Sequence, residues 1–326
     1  MMSKFVVALR NWLLPVAMVS GTILYFIISK ISLFAPIRKD LLDVSDWLLP
    51  VTIFFTLFFT FCKIDFKEMK PRKWHFILLL SQTVMCVACM YVIVNFFNDE
   101  GFNKVLAEGI MACLLSPTAT AAAVVTGKLG GSAASLTSYT LESNILSALL
   151  ITVLCPLVNP LPDMDVFSAF FHVLFKISTL LLLPFILAFG LKYAMPHLHA
   201  RLAALKDVSY YLWGFSLTIV TGLTVRMVWL NISDGILEIA LVSGAAIVCL
   251  FKFAYGKFIG HLYSKEDKIS AGQALGQKNT AFTIWMALNF LNPIAAVAPG
   301  SYVIWQNIIN SYQLWQKRKT DSARNI

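Results

Sequence analysis

The sequence predicts an all-α membrane protein: ten transmembrane helices in two inverted five-helix repeats, with broken fourth and ninth helices crossing at the centre. Three observations predict it. The 326 residues are 58% hydrophobic and only 13% charged, about half the charged share of a soluble domain. Their mean hydropathy is +0.74, and ten apolar runs approach the roughly 20 residues that span hydrocarbon. Two of those runs are interrupted in the same way, about 160 residues apart. One reads Leu115-Ser-Pro-Thr-Ala-Thr-Ala-Ala-Ala123, the other Ala274-Leu-Gly-Gln-Lys-Asn-Thr-Ala-Phe282. Paired interruptions at matching positions of two halves mark the central site of a secondary transporter.

The segments follow in order. Segment one, about 12–34, comes after Lys4 and Arg10 and imitates a signal peptide. It is too long for such an apolar region and lacks a small-x-small cleavage site, so it reads as a helix. Segment two covers 45–62 and runs into a basic connector containing Lys70-Pro71-Arg72; segment three covers 75–97. Segment four, 105–126, holds Pro117, which lacks an amide hydrogen and whose ring blocks a regular turn. Thr118 and Thr120 stand beside it, able to bond freed carbonyls or to face a ligand. Segment five, 135–157, stops before Asn159-Pro160-Leu161-Pro162, a strong breaker.

Segments six to eight span 167–191, 207–229 and 232–260. Segment nine, 269–290, is interrupted at Gly276, expected to admit unusual backbone angles beside Gln277, Lys278 and Asn279. Segment ten covers 294–316. The expectation is one transmembrane domain, 1–316, with repeats of about 1–160 and 161–316. A polar, solvated cytoplasmic tail at 317–326 follows it.

Charge orients the segments. Lys63, Lys67, Lys70, Arg72 and Lys73 follow segment two; Lys192, Arg201 and Lys206 follow segment six; Lys257, Lys265 and Lys268 follow segment eight. Alternate connectors hold few basic residues, so both termini are expected on the cytoplasmic side of a cell (inner) membrane. The net charge of +9 then reflects contact with an anionic lipid leaflet. It does not suggest nucleic acid, which needs one continuous basic and aromatic surface. The six cysteines fall in apolar segments, and the Cys86/Cys89 pair has no second cluster of soft ligands; both read as buried side chains. Lys176 and Lys252 read as snorkelling charges, and Trp12, Trp47, Trp229 and Trp315 as interfacial anchors. No nucleotide loop, catalytic triad, metal motif or cofactor motif is legible, which argues against an enzyme.

Five segments per half force the second half to enter the membrane in the opposite sense, making segments four and nine equivalents in an inverted repeat. Irregular backbone at membrane depth is tolerated only against protein or a watery cavity. These two segments should therefore line one.

With these residues the chain resembles the bile acid:sodium symporter family over nearly its whole length. The stretch from Cys62 to Lys73 resembles that family's second helix and basic loop. Ser116 to Thr126 resembles its Cys-Pro-Gly-Gly-Thr-Ala-Ser-Asn-Val-Val-Thr crossing motif. Ala274 to Asn279, Asn292 to Pro299 and Trp305-Gln-Asn307 resemble its last two helices. The resemblance implies a panel domain, a core domain with crossed fourth and ninth helices, and import of organic anions with sodium. It also implies a ninth-helix glutamate, a fourth-helix serine–asparagine pair and a ninth-helix glutamine as sodium-site residues. Here those positions are Ala274, Ala122 with Ala123, and Lys278. Gln82, Thr140 and Asn144 fall at retained ligand positions. Methyl groups offer sodium no oxygen, so the departures argue against sodium coupling at the usual sites.

Lys278 suggests a substitute, because an ammonium can occupy the place of a bound cation. A charge at the bilayer centre costs about 2.5–3.5 kcal/mol on insertion scales and normally has a partner. Glu142, in Thr140-Leu-Glu-Ser-Asn144, is the expected one. That ion pair would either couple a proton to transport or hold two broken helices together; a lysine reaching solvent alone is the third reading. Ser116-Pro-Thr118 and Leu141-Glu-Ser-Asn144 are also similar, over a short span, to sodium/proton antiporters. The functional expectation is a carrier of a small, amphipathic organic anion. The alternatives are a cation/proton exchanger using Glu142, or a receptor or scaffold of the same fold without transport.

Overall fold

A computed structural model describes residues 13–63, 70–97, 101–119, 121–160, 164–205, 208–230 and 235–324. Among them the only β-type pairing is one isolated bridge; the rest of the regular structure is helical. The helices are α1 Leu13–Lys30, α2 Arg38–Phe61, α3 Lys73–Phe96, α4 Phe102–Leu115, α5 Ala122–Leu129 and α6 Ala133–Val158. They continue with α7 Val166–Leu181, α8 Leu183–Ala194, α9 Pro196–Ala203, α10 Val208–Leu230 and α11 Gly235–His261. The last three are α12 Lys265–Gly276, α13 Thr280–Phe290 and α14 Val297–Arg324.

Among the described residues four helices are long and apolar enough to cross a membrane: Asp43–Phe61, Lys73–Phe96, Ala133–Val158 and Gly235–His261. Phe167–Leu181 with Leu183–Ala194 makes a fifth if that pair is one bent span. The chain is an all-α, membrane-embedded protein.

Polar residues set many of the boundaries. Ser132, Asp165, Ser264 and Asn279 sit at N-caps, each accepting hydrogen bonds from amides of the first turn of α6, α7, α12 and α13, as short polar side chains do. Three expectations change. The sixth segment breaks at Leu182, where Pro184 removes an amide from the next turn. Its connector carries α9, with Pro196 at the first turn. The tail is not loose: α14 continues to Arg324, and Lys317 pairs with Asp321 at 2.8 Å, one turn apart on the same face.

The described chain forms two compact units, and both draw on both halves. One contains α1, α2, α8, α9 and α10. In it Gly21 lies against the carbonyl of Thr218, where any Cβ would collide, so α1 and α10 approach at backbone distance. The other contains α3–α7 and α11–α14. Its tightest pairing is α11 with α12. A Cβ on Gly256 or Gly260 would collide with the carbonyls of Ala271 and Asp267. Gly256-Lys-Phe-Ile-Gly260 is a small-xxx-small signature that lets helices meet this closely. Arg72 bonds Asp267 at 2.6 Å and Trp74 Nε1 donates to the same oxygen at 2.9 Å, which ties the start of α3 to the start of α12.

Candidate functional site

The two interruptions meet inside the second unit. Residues after Leu115 and after Gly276 run antiparallel, with Thr118 opposite Lys278. Ala119 N donates to Gln277 O at 3.0 Å, and Asn279 N to Pro117 O at 2.9 Å. Each break thus supplies partners to backbone groups that the other helix leaves free, as a low-dielectric setting demands. Thr118 Oγ1 donates to Ala274 O at 2.7 Å, Thr118 N to Ser143 Oγ at 3.1 Å, and Tyr302 Oη to Gly276 O at 2.8 Å. Ser116 and Thr283 join hydroxyls across the same junction. Thr118 therefore bonds the opposite break and not its own helix, while Thr120 lies outside the described residues. Gly276 is not in the left-handed region: among the described glycines only Gly130 has a positive φ. Its value is space, because a Cβ there would strike the ring of Phe253.

Lys278 is 1% exposed. Gln306 holds both sides of its peptide, its Oε1 accepting Lys278 N at 2.8 Å and its Nε2 donating to Lys278 O at 3.4 Å. The Lys278 ammonium donates to Gln82 Oε1 at 3.4 Å, and Gln82 Nε2 reaches Ser147 Oγ at 3.5 Å.

The expected pair with Glu142 is not formed. His75 Nδ1 contacts the Glu142 carboxylate at 3.0 and 3.2 Å, and His75 Nε2 contacts Ser135 Oγ at 3.0 Å. The reason is axial position. His75 lies on the first turn of α3, whereas the partner of Lys278, Gln82, lies seven residues further along, about 10 Å at the rise of a helix. Glu142 is level with the former.

A second buried lysine sits nearby. Lys252, on α11, has no exposed surface, and its ammonium donates to Cys113 O at 2.7 Å and Leu114 O at 3.2 Å. Those carbonyls end α4 at the break, where a helix leaves its last acceptors free and its dipole negative. The snorkelling expectation for Lys252 was therefore mistaken. The sequence contained the signal: nine residues, about 13 Å of helix, separate Lys252 from His261 at the helix end, too far for the side chain to reach an interface. Lys176 also stays with protein, its Nζ lying 5.7 Å from the Phe290 ring centre.

The remaining expected residues divide. Ala122 and Ala274 pack in one apolar cluster with Trp74, Leu78, Leu136 and Tyr139, and Ala123 packs against it. Thr140 Oγ1 is used by its own helix, donating to Leu136 O at 2.9 Å. Asn144 is fully buried, and neither atom of its amide has a protein partner among the described residues. Asn279 caps α13 by accepting from Phe282 N at 3.3 Å. The structure thus brings Thr118, Gln277, Lys278, Asn279 and Gln82 into one constellation and assigns Glu142 to another. Sequence reasoning did not identify Lys252, Gln306, Tyr302 or Ser143 as parts of it. The chain matches no known family model and no curated protein.

Proposed function

We propose that this protein is a secondary transporter of the bile acid:sodium symporter kind, carrying a small organic anion by alternating access at the paired breaks. The observation that carries the reading is the antiparallel pairing of Thr118 with a buried Lys278 where two interrupted helices meet. Two helix interruptions that complete each other's backbone form a junction that can be remade, and the buried lysine, when protonated, gives it a positive charge. The helix start at Thr280 adds a partial positive charge of its own. A negative group suits that field. The division into two units, each assembled from both halves, also supports a carrier, as does the family resemblance.

In this reading sodium does not bind at the family's sites. Ala122 and Ala274 contribute methyl groups to an apolar cluster, and Lys278 engages Gln82, one of the retained oxygens. The ammonium stands where a cation would be coordinated, and a proton on Lys278 is the candidate coupling ion. Both termini face the cytoplasm, following the basic connectors. The exchanger reading is weaker, because Glu142 is engaged by His75 away from the crossing.

The test is thermal stability of the purified protein, since any ligand that binds only the folded state raises it. The probes are taurine-conjugated bile acid, an alkyl sulfonate and an alkyl carboxylate, each in sodium and in potassium, for wild type and Lys278→Gln. Saturable stabilisation by an organic anion, equal in the two salts and lost in Lys278→Gln, supports the reading. A saturable rise with sodium alone overturns the substitution of sodium by lysine. Stabilisation by none of them favours a scaffold that no longer transports.

A further inference from the structure

Below the crossing, α12 and α14 face each other with polar side chains. On α14 Gln306, Asn310, Gln313 and Lys317 recur at intervals of four, three and four residues, so they share one helix face. On α12 Glu266, Ser270 and Gln273 do the same, and Gln277 continues the row at the helix cap. Gln273 Nε2 donates to Gln313 Oε1 at 3.0 Å and joins the two rows. α5 closes the seam with Thr126: a Cβ on Gly131 would lie 2.7 Å from Thr126 Cγ2 and 2.9 Å from Ser270 Oγ, so these side chains flank one point.

Exposure grades along the seam. Gln306 and Asn310 are 6% and 4% exposed and Gln273 is 0%, while the side chains of Lys317 and Glu266 at the far end are 36% and 50% exposed.

The interior of this seam is polar but incompletely paired. Thr126 Oγ1, Gln273 Oε1, Gln277 Oε1, both amide atoms of Asn310, and Gln313 Nε2 are buried without a protein partner among the described residues. Native buried polar groups are nearly always satisfied, by protein or by ordered water. The chemistry of these groups selects the occupant. They are neutral, and they mix acceptors (three amide oxygens) with donors (two amide nitrogens and a hydroxyl). A cation would want oxygens alone, and an anion would want charged donors. A molecule that donates and accepts equally is water.

We propose that the α5–α12–α14 seam holds a file of water running from the Lys317 end to the Lys278 peptide, which Gln306 grips at its inner limit. The seam gives the crossing a hydrated route separate from any path for an organic solute. Its role in a transport cycle rests on the carrier reading above; its hydration does not.

The test compares two buried positions on α14. Asn310→Cys and Val303→Cys, at 4% and 2% exposure, are treated in membrane vesicles with a small cationic methanethiosulfonate, against the reaction of the native cysteines. The expected result is at least tenfold faster modification at 310 than at 303. Equal, slow rates at both positions would overturn the seam. A measurement on wild type guards against misfolded variants: water-edited solid-state NMR in lipid should show transfer to the Asn310 side-chain amide as fast as to that of exposed Gln316. Transfer as slow as to the Val303 backbone amide would also overturn it. Either failure leaves anion-induced stabilisation untouched, and failure of every organic anion leaves the seam untouched.

Discussion

Replacing Lys252 by methionine tests the view that its ammonium holds the broken fourth helix in place. Lys252 has no exposed surface and gives two hydrogen bonds, at 2.7 and 3.2 Å, to the carbonyls of Cys113 and Leu114. Hydrogen bonds involving a charged group contribute about 1.5–3 kcal/mol each, and a buried acceptor left unpaired costs about 1–3 kcal/mol. The charge also opposes the negative end of α4, worth up to about 2 kcal/mol in buried geometry. Against these stands the desolvation of an ammonium, several kcal/mol, which methionine does not incur. The balance is a loss of about 2–4 kcal/mol for Lys252→Met, since the carbonyls stay buried when their donor is gone. The assay is equilibrium unfolding in a mild detergent, followed by tryptophan fluorescence. Lys176→Met is the control: it removes a lysine whose ammonium lies 5.7 Å from the centre of an aromatic ring, a contact worth about 0.5–1 kcal/mol. Lys252→Met as stable as wild type, or more stable, would refute the capping argument, because the ammonium would then be a burden on the fold.

Other outcomes follow from the same contacts. Gly256→Leu and Gly260→Leu should each lower stability by more than about 3 kcal/mol, since overpacking of even a methylene costs 1–3 kcal/mol and here backbone carbonyls stand in the way; unfolding titrations would show it. Tyr302→Phe removes the donor to Gly276 O and should cost about 1 kcal/mol in the same assay. A double-mutant cycle on His75→Ala and Glu142→Ala should give a coupling of about 1 kcal/mol, tempered by the quarter exposure of the carboxylate. The cycle on Lys278→Ala and Glu142→Ala should give a coupling near zero, reflecting their separate partners.

Much of the helical order was legible because membrane segments are written as long apolar runs between prolines and polar caps, and Pro117 and Gly276 do sit beside breaks. Their pairing was legible too, as two interruptions half a chain apart. Partner choice among buried polar groups was not. Glu142 and Lys278 have opposite charges and lie on segments that both pack within one unit, so sequence alone favours joining them. What separates them is about 10 Å of axial offset, which depends on how far α3 and α6 slide past one another. Lys252 and Lys176 show the same limit from the other side: both are lysines within apolar runs, yet one caps a helix end and the other rests on a phenylalanine ring. Gly276 was legible as special for the wrong reason, because a single sequence does not say whether a glycine supplies a backbone angle or room for Phe253.

The two buried lysines have complementary placements. Lys252 lies at the end of α4, where free carbonyls concentrate negative charge, and Lys278 lies in the other break, just before α13 begins. Among the described residues neither donates to a carboxylate; each is met by neutral oxygen, from the backbone for Lys252 and from Gln82 for Lys278. An ammonium met by dipoles leaves its surroundings net positive, and in the proposed carrier that charge favours whichever arrangement brings an anion to it. Lys252 is fixed by two carbonyls in the last turn of α4, whereas among the described residues the Lys278 side chain makes one hydrogen bond, at 3.4 Å. The former is built to stay and the latter is free to change partner. On that difference Lys252→Met should act on stability whatever the ligand, and Lys278→Gln should act chiefly on how stability responds to an added organic anion.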